Sequence, residues 1–182
     1  MNLIALFFSS TFFSGFLFGK KGKGGGLIGS IVALSVQVYF VINGYGIWAN
    51  IIFVVISFFV GIISIPGGEK FIVRKWGSIR RHTGELVVHD YNQTNIDEVH
   101  GQAIAGTSAF VFNITPIGQM ILLFISFVLF RLFDTKKIWP INVVEQKFSN
   151  SSFGIMFDDT VGGTMAFLVT IALMNALTLY LF

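Results

Sequence analysis

The chain has 182 residues, of which 54% are hydrophobic and 12% charged, against about 25% charged in an ordinary soluble domain. Its net charge of only +3, with no long basic tract, argues against nucleic acid as a partner. The absence of cysteine excludes disulfides, thiolate metal sites and cysteine nucleophiles. A mean hydropathy of +0.78 and 22 phenylalanines spread along the apolar stretches describe an integral membrane protein.

Residues 1–18 are apolar but interrupted by Ser9, Ser10, Thr11, Ser14 and Gly15. They lack a charged start and a small-residue cleavage pattern, which argues against a removable signal peptide. The segment suits the membrane interface or a partial entry. A glycine-rich basic loop, 19–26, holds Lys20, Lys21 and Lys23. Residues 27–42 then predict an apolar helix, broken by the turn signal Asn43-Gly44-Tyr45-Gly46. A second helix is predicted over 47–65, ending at Pro66-Gly67-Gly68. The pair reads as a helical hairpin, each arm just long enough for a hydrocarbon layer of ~30 Å. Tyr39, Tyr45 and Trp48 near its turn suit an interfacial aromatic belt.

Residues 69–102 are polar and mixed in charge. Residues 103–133 are apolar again, split by Asn113-Ile114-Thr115-Pro116. Because proline disfavours helical geometry just before itself, this predicts a short helix, a break and a longer helix over about 117–133. A second polar segment, 134–159, precedes a last helix from about Thr160, with Gly162 and Gly163 near its start. The whole, 1–182, reads as one all-α domain, a multi-helix integral membrane bundle.

Lysine and arginine distribution sets the expected topology. Lys20, Lys21 and Lys23 precede the first hairpin, and Lys70, Arg74, Lys75, Arg80 and Arg81 follow it, while its turn carries none. The positive-inside bias therefore makes both base loops cytoplasmic. If 103–133 is also a hairpin, 134–159 returns to that face, in agreement with Arg131, Lys136, Lys137 and Lys147. The polar chemistry then gathers in one site on the cytoplasmic membrane face. A single crossing would separate the two polar segments and preclude a joint site.

The carboxylates are few and unevenly placed: Asp90, Asp97 and Glu98 in one segment, Asp134 at a helix end, and the pair Asp158-Asp159. Such groups near a bilayer are costly to desolvate unless paired or metal-bound. Several converging carboxylates without cysteine favour a hard cation such as Mg²⁺. His82, His89 and His100 lack the spacing of a zinc site. Lys23, Arg131 and Lys137 can clamp phosphate oxygens, and Lys23-Gly24-Gly25-Gly26 can bring backbone N–H groups to an anion at a helix start. The residues alone thus describe a metal-assisted site for an anionic, phosphorylated lipid head group.

Each element also has a plainer reading. Thr94-Asn95-Ile96-Asp97 fits a weak capping box. Asp158-Asp159 fits the favourable end of a helix dipole, and Arg131 with Asp134 a simple i,i+3 pair. His100 reads as a packing or hydrogen-bonding residue, and the glycines of 27–30 and 162–163 as close-approach points between helices.

Three stretches nevertheless resemble the phosphatidylglycerophosphatase A family. Its pattern D-P-x-x-I-V-x-D-E-x-x-G aligns with Asp90 through Asp97-Glu98 to Gly101. A second, F-R-x-F-D-x-x-K-P-x-P-I, aligns with Phe130-Arg131-Leu132-Phe133-Asp134-Thr135-Lys136-Lys137-Ile138-Trp139-Pro140-Ile141. A third, G-x-M-x-D-D-x-x-A-G, aligns with Gly154-Ile155-Met156-Phe157-Asp158-Asp159-Thr160-Val161-Gly162-Gly163. An N-terminal K-x-P-G-T-x-G-S pattern is met in part, from Lys23 to Ser30. Gly25, Tyr91 and Ile138 stand where the patterns have proline, and Leu27 where they have threonine.

The resemblance implies a Mg²⁺-dependent hydrolysis of phosphatidylglycerophosphate to phosphatidylglycerol and phosphate, in phospholipid synthesis at the bacterial inner membrane. It implies that Asp97, Glu98, Asp134, Asp158 and Asp159 gather around metal, that Lys23, Arg131 and Lys137 meet the phosphoryl group, and that Asp90 stands further out. The alternatives are a catalytically inactive membrane scaffold and a small transporter subunit. The absence of D-G-x-x-A-R, P-S-G-H and D-x-D segments argues against three other enzyme classes. A transporter should carry charge inside its apolar spans, and these acids cluster at span boundaries.

Overall fold

A computed structural model of the chain describes residues 2–17, 24–76, 91, 93–148 and 151–181. It is all-helical, with no strand among the described residues. The elements are α1 (Asn2–Ser9), α2 (Gly25–Ile42), α3 (Ile47–Trp76), α4 (Ile96–Gly106), α5 (Pro116–Lys136), α6 (Ile141–Phe148) and α7 (Ser152–Leu181). A 3-10 turn, Ser14–Phe16, follows α1, and another, Thr107–Phe110, prolongs α4. Among the described residues, four helices are long and apolar enough to cross a membrane: Gly25–Ile42, Ile47–Lys75, Pro116–Lys136 and Ser152–Tyr180.

Three expected boundaries move. The second helix does not end at Pro66 but continues through it to Trp76. Proline costs one backbone hydrogen bond, which neighbouring helices in a membrane protein can offset. Here α1 covers that stretch, with Ala5 against Gly67 and Ser9 against Gly68. The last helix starts at Ser152 rather than near Thr160, so Asp158 and Asp159 lie inside it, beyond the first turn where a dipole acts. The short helix before the break starts at Ile96 rather than Ala103. Its N-terminus shows no capping box: Asn95 caps it without a side-chain bond, and the Thr94 hydroxyl donates to the Tyr91 carbonyl at 2.6 Å. A further short helix, α6, lies in the second polar segment, where the sequence predicted none.

The break at 111–115 is present, and it makes α4 and α5 antiparallel. Thr115 caps α5, its hydroxyl accepting from the Gly118 N–H at 3.2 Å, with Pro116 at the first helical position. Val41, Ala109, Phe110, Leu122 and Leu123 pack with Met174 at one end of the bundle. The starts of α2, α4 and α7 and the end of α5 are thereby gathered at the other end.

The hairpin of α2 and α3 is splayed, and α4 fills the gap. Where the 3-10 turn begins, the Thr107 N–H bonds to the Ala105 and Ile104 carbonyls, which leaves the Ala103 carbonyl to side chains. Gln37 Nε2 donates to it at 3.0 Å and Asn50 Nδ2 at 3.1 Å. Gln37 also donates to Asn50 Oδ1 at 2.9 Å, and Asn50 to Thr107 Oγ1 at 2.7 Å. Both amides are fully buried, so each lost partner leaves a desolvated polar atom. Asn50→Leu is expected to destabilise the protein by about 1–3 kcal/mol, read as a lower melting temperature in detergent.

Candidate active site

The gathered helix ends enclose a cavity of about 280 Å³ lined by Gly24, Gly25, Gly26, Leu27, Asp97, Glu98, Arg131, Asp134, Thr135, Lys137, Asp158 and Asp159. The break between α4 and α5 thus joins the two polar segments in one site. All five carboxylates expected at the site line it, together with Arg131 and Lys137. Lys23 and Asp90 lie outside the described residues, as do Lys20, Lys21, Arg80, Arg81, His82 and His89.

The carboxylates divide into two groups. Asp97 and Glu98, in the first turn of α4, and Asp159, on α7, bring one oxygen each within 4.8 Å of one another. Asp97 and Asp159 are 4% and 3% exposed, so the cluster sits below the surface. The other two face cations. Asp134 Oδ2 lies 2.8 Å from Arg131 Nη1, and its Oδ1 lies 3.5 Å from Lys137 Nζ. Asp158 Oδ2 accepts from Lys137 Nζ at 2.6 Å. Arg131 and Asp134 are therefore an i,i+3 pair in the cavity wall rather than on the open surface.

Lys137 owes its place to backbone geometry. It ends α5 in the left-handed conformation, at φ 43°, ψ 47°, with its N–H bonded to the Phe133 carbonyl at 2.9 Å. That turn directs the side chain back toward Asp134 and Asp158, with Glu145 of α6 at 4.0 Å. Burial works against the charged ammonium, but Asp159, Asp158 and Asp134 outweigh it and hold the Lys137 pKa above the ordinary lysine value. Lys137 therefore stays cationic across the usual assay range.

The Gly24–Gly26 wall lies hard against the acids. A Cβ on Gly26 would overlap Glu98 Oε1 and approach Arg131 Nη1 to 3.3 Å. Asn95 ties this wall to α4, its Nδ2 donating to the Gly25 carbonyl at 3.1 Å and to Ser14 Oγ at 3.1 Å. Two lining or supporting groups were not named as site residues from the sequence, although Ser30 ends the N-terminal pattern quoted above. Thr135 follows Asp134 into the wall, and Ser30 Oγ accepts from Arg131 Nη1 at 3.3 Å. Their spacing would have found them: Thr135 is one helical turn beyond Arg131, and Ser30 one turn beyond Gly26.

His100 is buried and hydrogen-bonded, as the sequence suggested. Its Nδ1 lies 3.1 Å from Ser57 Oγ and 3.2 Å from the Val54 carbonyl, and its Nε2 3.2 Å from Thr160 Oγ1. It does not line the cavity.

A bundle with four helices of membrane-spanning length, carrying a buried three-carboxylate cluster beside an arginine and a lysine, has the layout of a membrane-embedded enzyme for an anionic substrate. The pattern of the phosphatidylglycerophosphatase A family matches residues 7–174, nearly the full length, and the chain belongs to that family. No curated protein and no solved structure shows significant similarity to it.

Proposed function

We propose that this chain is a Mg²⁺-dependent phosphatase that hydrolyses phosphatidylglycerophosphate to phosphatidylglycerol and inorganic phosphate. We place it in phospholipid synthesis, at the inner membrane of a bacterium, with the site on the cytoplasmic face. The observation that carries the reading is the convergence of Asp97, Glu98 and Asp159 beside Arg131 in one cavity of a member of this family.

The residues fit a hard dication. The donor set is three carboxylates, oxygen ligands of the kind Mg²⁺ takes, and the missing Cβ of Gly26 leaves room for the Glu98 carboxylate. Asp97, Glu98 and Asp159 would hold the ion, and Asp134 and Asp158 serve mainly the neighbouring cations. A bound dication supplies Lewis acidity toward a phosphoryl oxygen. Among the described contacts Arg131 uses Nη1 alone, for Asp134 and Ser30, so its other nitrogens can bind phosphate oxygens bidentately. Lys137, surrounded by carboxylates, acts as a fixed positive charge that offsets charge developing on the phosphoryl group. The acyl chains remain in the bilayer beside the apolar outer faces of the spans.

Protein reconstituted in liposomes containing phosphatidylglycerophosphate is expected to release inorganic phosphate, to stop when Mg²⁺ is chelated and to resume when it is restored. Folded protein that releases none, from this or any other phosphorylated lipid, overturns the reading in favour of an inactive scaffold.

A further inference from the structure

Three carboxylates within 4.8 Å repel one another when ionised, so the cluster needs something else to fix the register of α4 and α7. Close approach alone does not. Gly163 meets the Gly101 carbonyl, and Gly101 lies against the Asp159 carbonyl and the Phe130 ring, but these contacts carry no directional bond across the pair.

We propose that His100 supplies it: His100 is a positioning residue whose ring joins α4 to α3 and α7 and so sets Asp97 and Glu98 against Asp159. The inference rests on the metal reading above. His100 stands one helical turn beyond Asp97, and its partner Thr160 is the neighbour of Asp159. The bond to Thr160 therefore acts at the level of the acids on both helices. From α3 the Ser57 hydroxyl and the Val54 carbonyl both meet Nδ1. Thr160 Oγ1, which also meets the Met156 carbonyl at 2.7 Å, lies 3.2 Å from Nε2 and links the ring to α7. The Phe58 ring, 5.2 Å away between centroids, packs on the imidazole from α3.

The test is Mn²⁺ binding to the full-length protein in detergent, followed by electron paramagnetic resonance beside its melting temperature. His100→Leu and Thr160→Val are each expected to weaken binding about tenfold, the scale seen when groups that orient metal ligands are lost. The double variant is expected to be no weaker than the poorer single one, because both remove the same bond. Thr160→Ser, which keeps the hydroxyl, should restore wild-type affinity. A purely structural role would lower the melting temperature and leave the Mn²⁺ affinity of the folded protein unchanged. Unchanged affinity in folded variants, or losses that add, overturns the proposal alone. A wild-type protein that binds no Mn²⁺ overturns it together with the metal reading. Thr160 is only part-buried, so its valine variant decides the matter even if His100→Leu does not fold.

Discussion

Asp159→Asn is expected to reduce Mg²⁺-dependent phosphate release by about 10³-fold, equivalent to about 4 kcal/mol of transition-state stabilisation. Asp159 is the only member of the three-carboxylate cluster contributed by α7, and it is 3% exposed. Asparagine keeps its shape and removes one charge. The fold should not suffer, because one of three crowded carboxylates has gone. The expected signature is thus a melting temperature equal to or above wild type with phosphate release nearly abolished. A fully active variant would move the metal away from this cluster and sink the assignment.

Gly163→Ala is expected to act in the opposite way, through the backbone. A Cβ at this position overlaps the Gly101 carbonyl oxygen and comes within 3.0 Å of its carbon. Neither is a flexible side-chain end, so α4 must shift away from α7. Overpacking of this kind costs about 1–3 kcal/mol. The displacement also spreads the carboxylates, and a misplacement near 1 Å costs about 10²-fold in rate. The neighbouring glycine is the control. A Cβ on Gly162 meets Ile141 Cδ1 at 3.5 Å and Phe130 Cε2 at 3.6 Å, ordinary contacts, so Gly162→Ala should remain near wild type. Melting curves and phosphate release on both variants check this, and equal behaviour of the two would refute the packing argument.

The apolar spans were legible because hydropathy reports what faces lipid. Two of their ends were not, for opposite reasons. Pro66-Gly67-Gly68 looks like a stop, yet the lost Cβ atoms let α1 dock there and the helix runs on. The segment Ile96 to Gln102 looks like a surface loop because it holds Asp97, Glu98, His100 and Gln102, yet all but Glu98 of these are buried by other helices. Polarity read along a chain does not distinguish water from a polar partner, and Gln37 and Asn50 are such partners. The family resemblance placed all five acids at the site. It did not divide them, because the division depends on the left-handed turn at Lys137, which sends one cation between Asp134 and Asp158. A left-handed lysine has no signature in sequence.

The burial of α4 bears on how the chain is made. In 11 residues it carries two acids, a histidine and a glutamine, too short and too polar to partition into a bilayer unaided. Its seat is built by α2, α3, α5 and α7. Of these, α7 leaves the ribosome last. During translation, then, the seat of α4 is complete only when the last span arrives. The carboxylate cluster, which draws on both, comes into being only when insertion is complete.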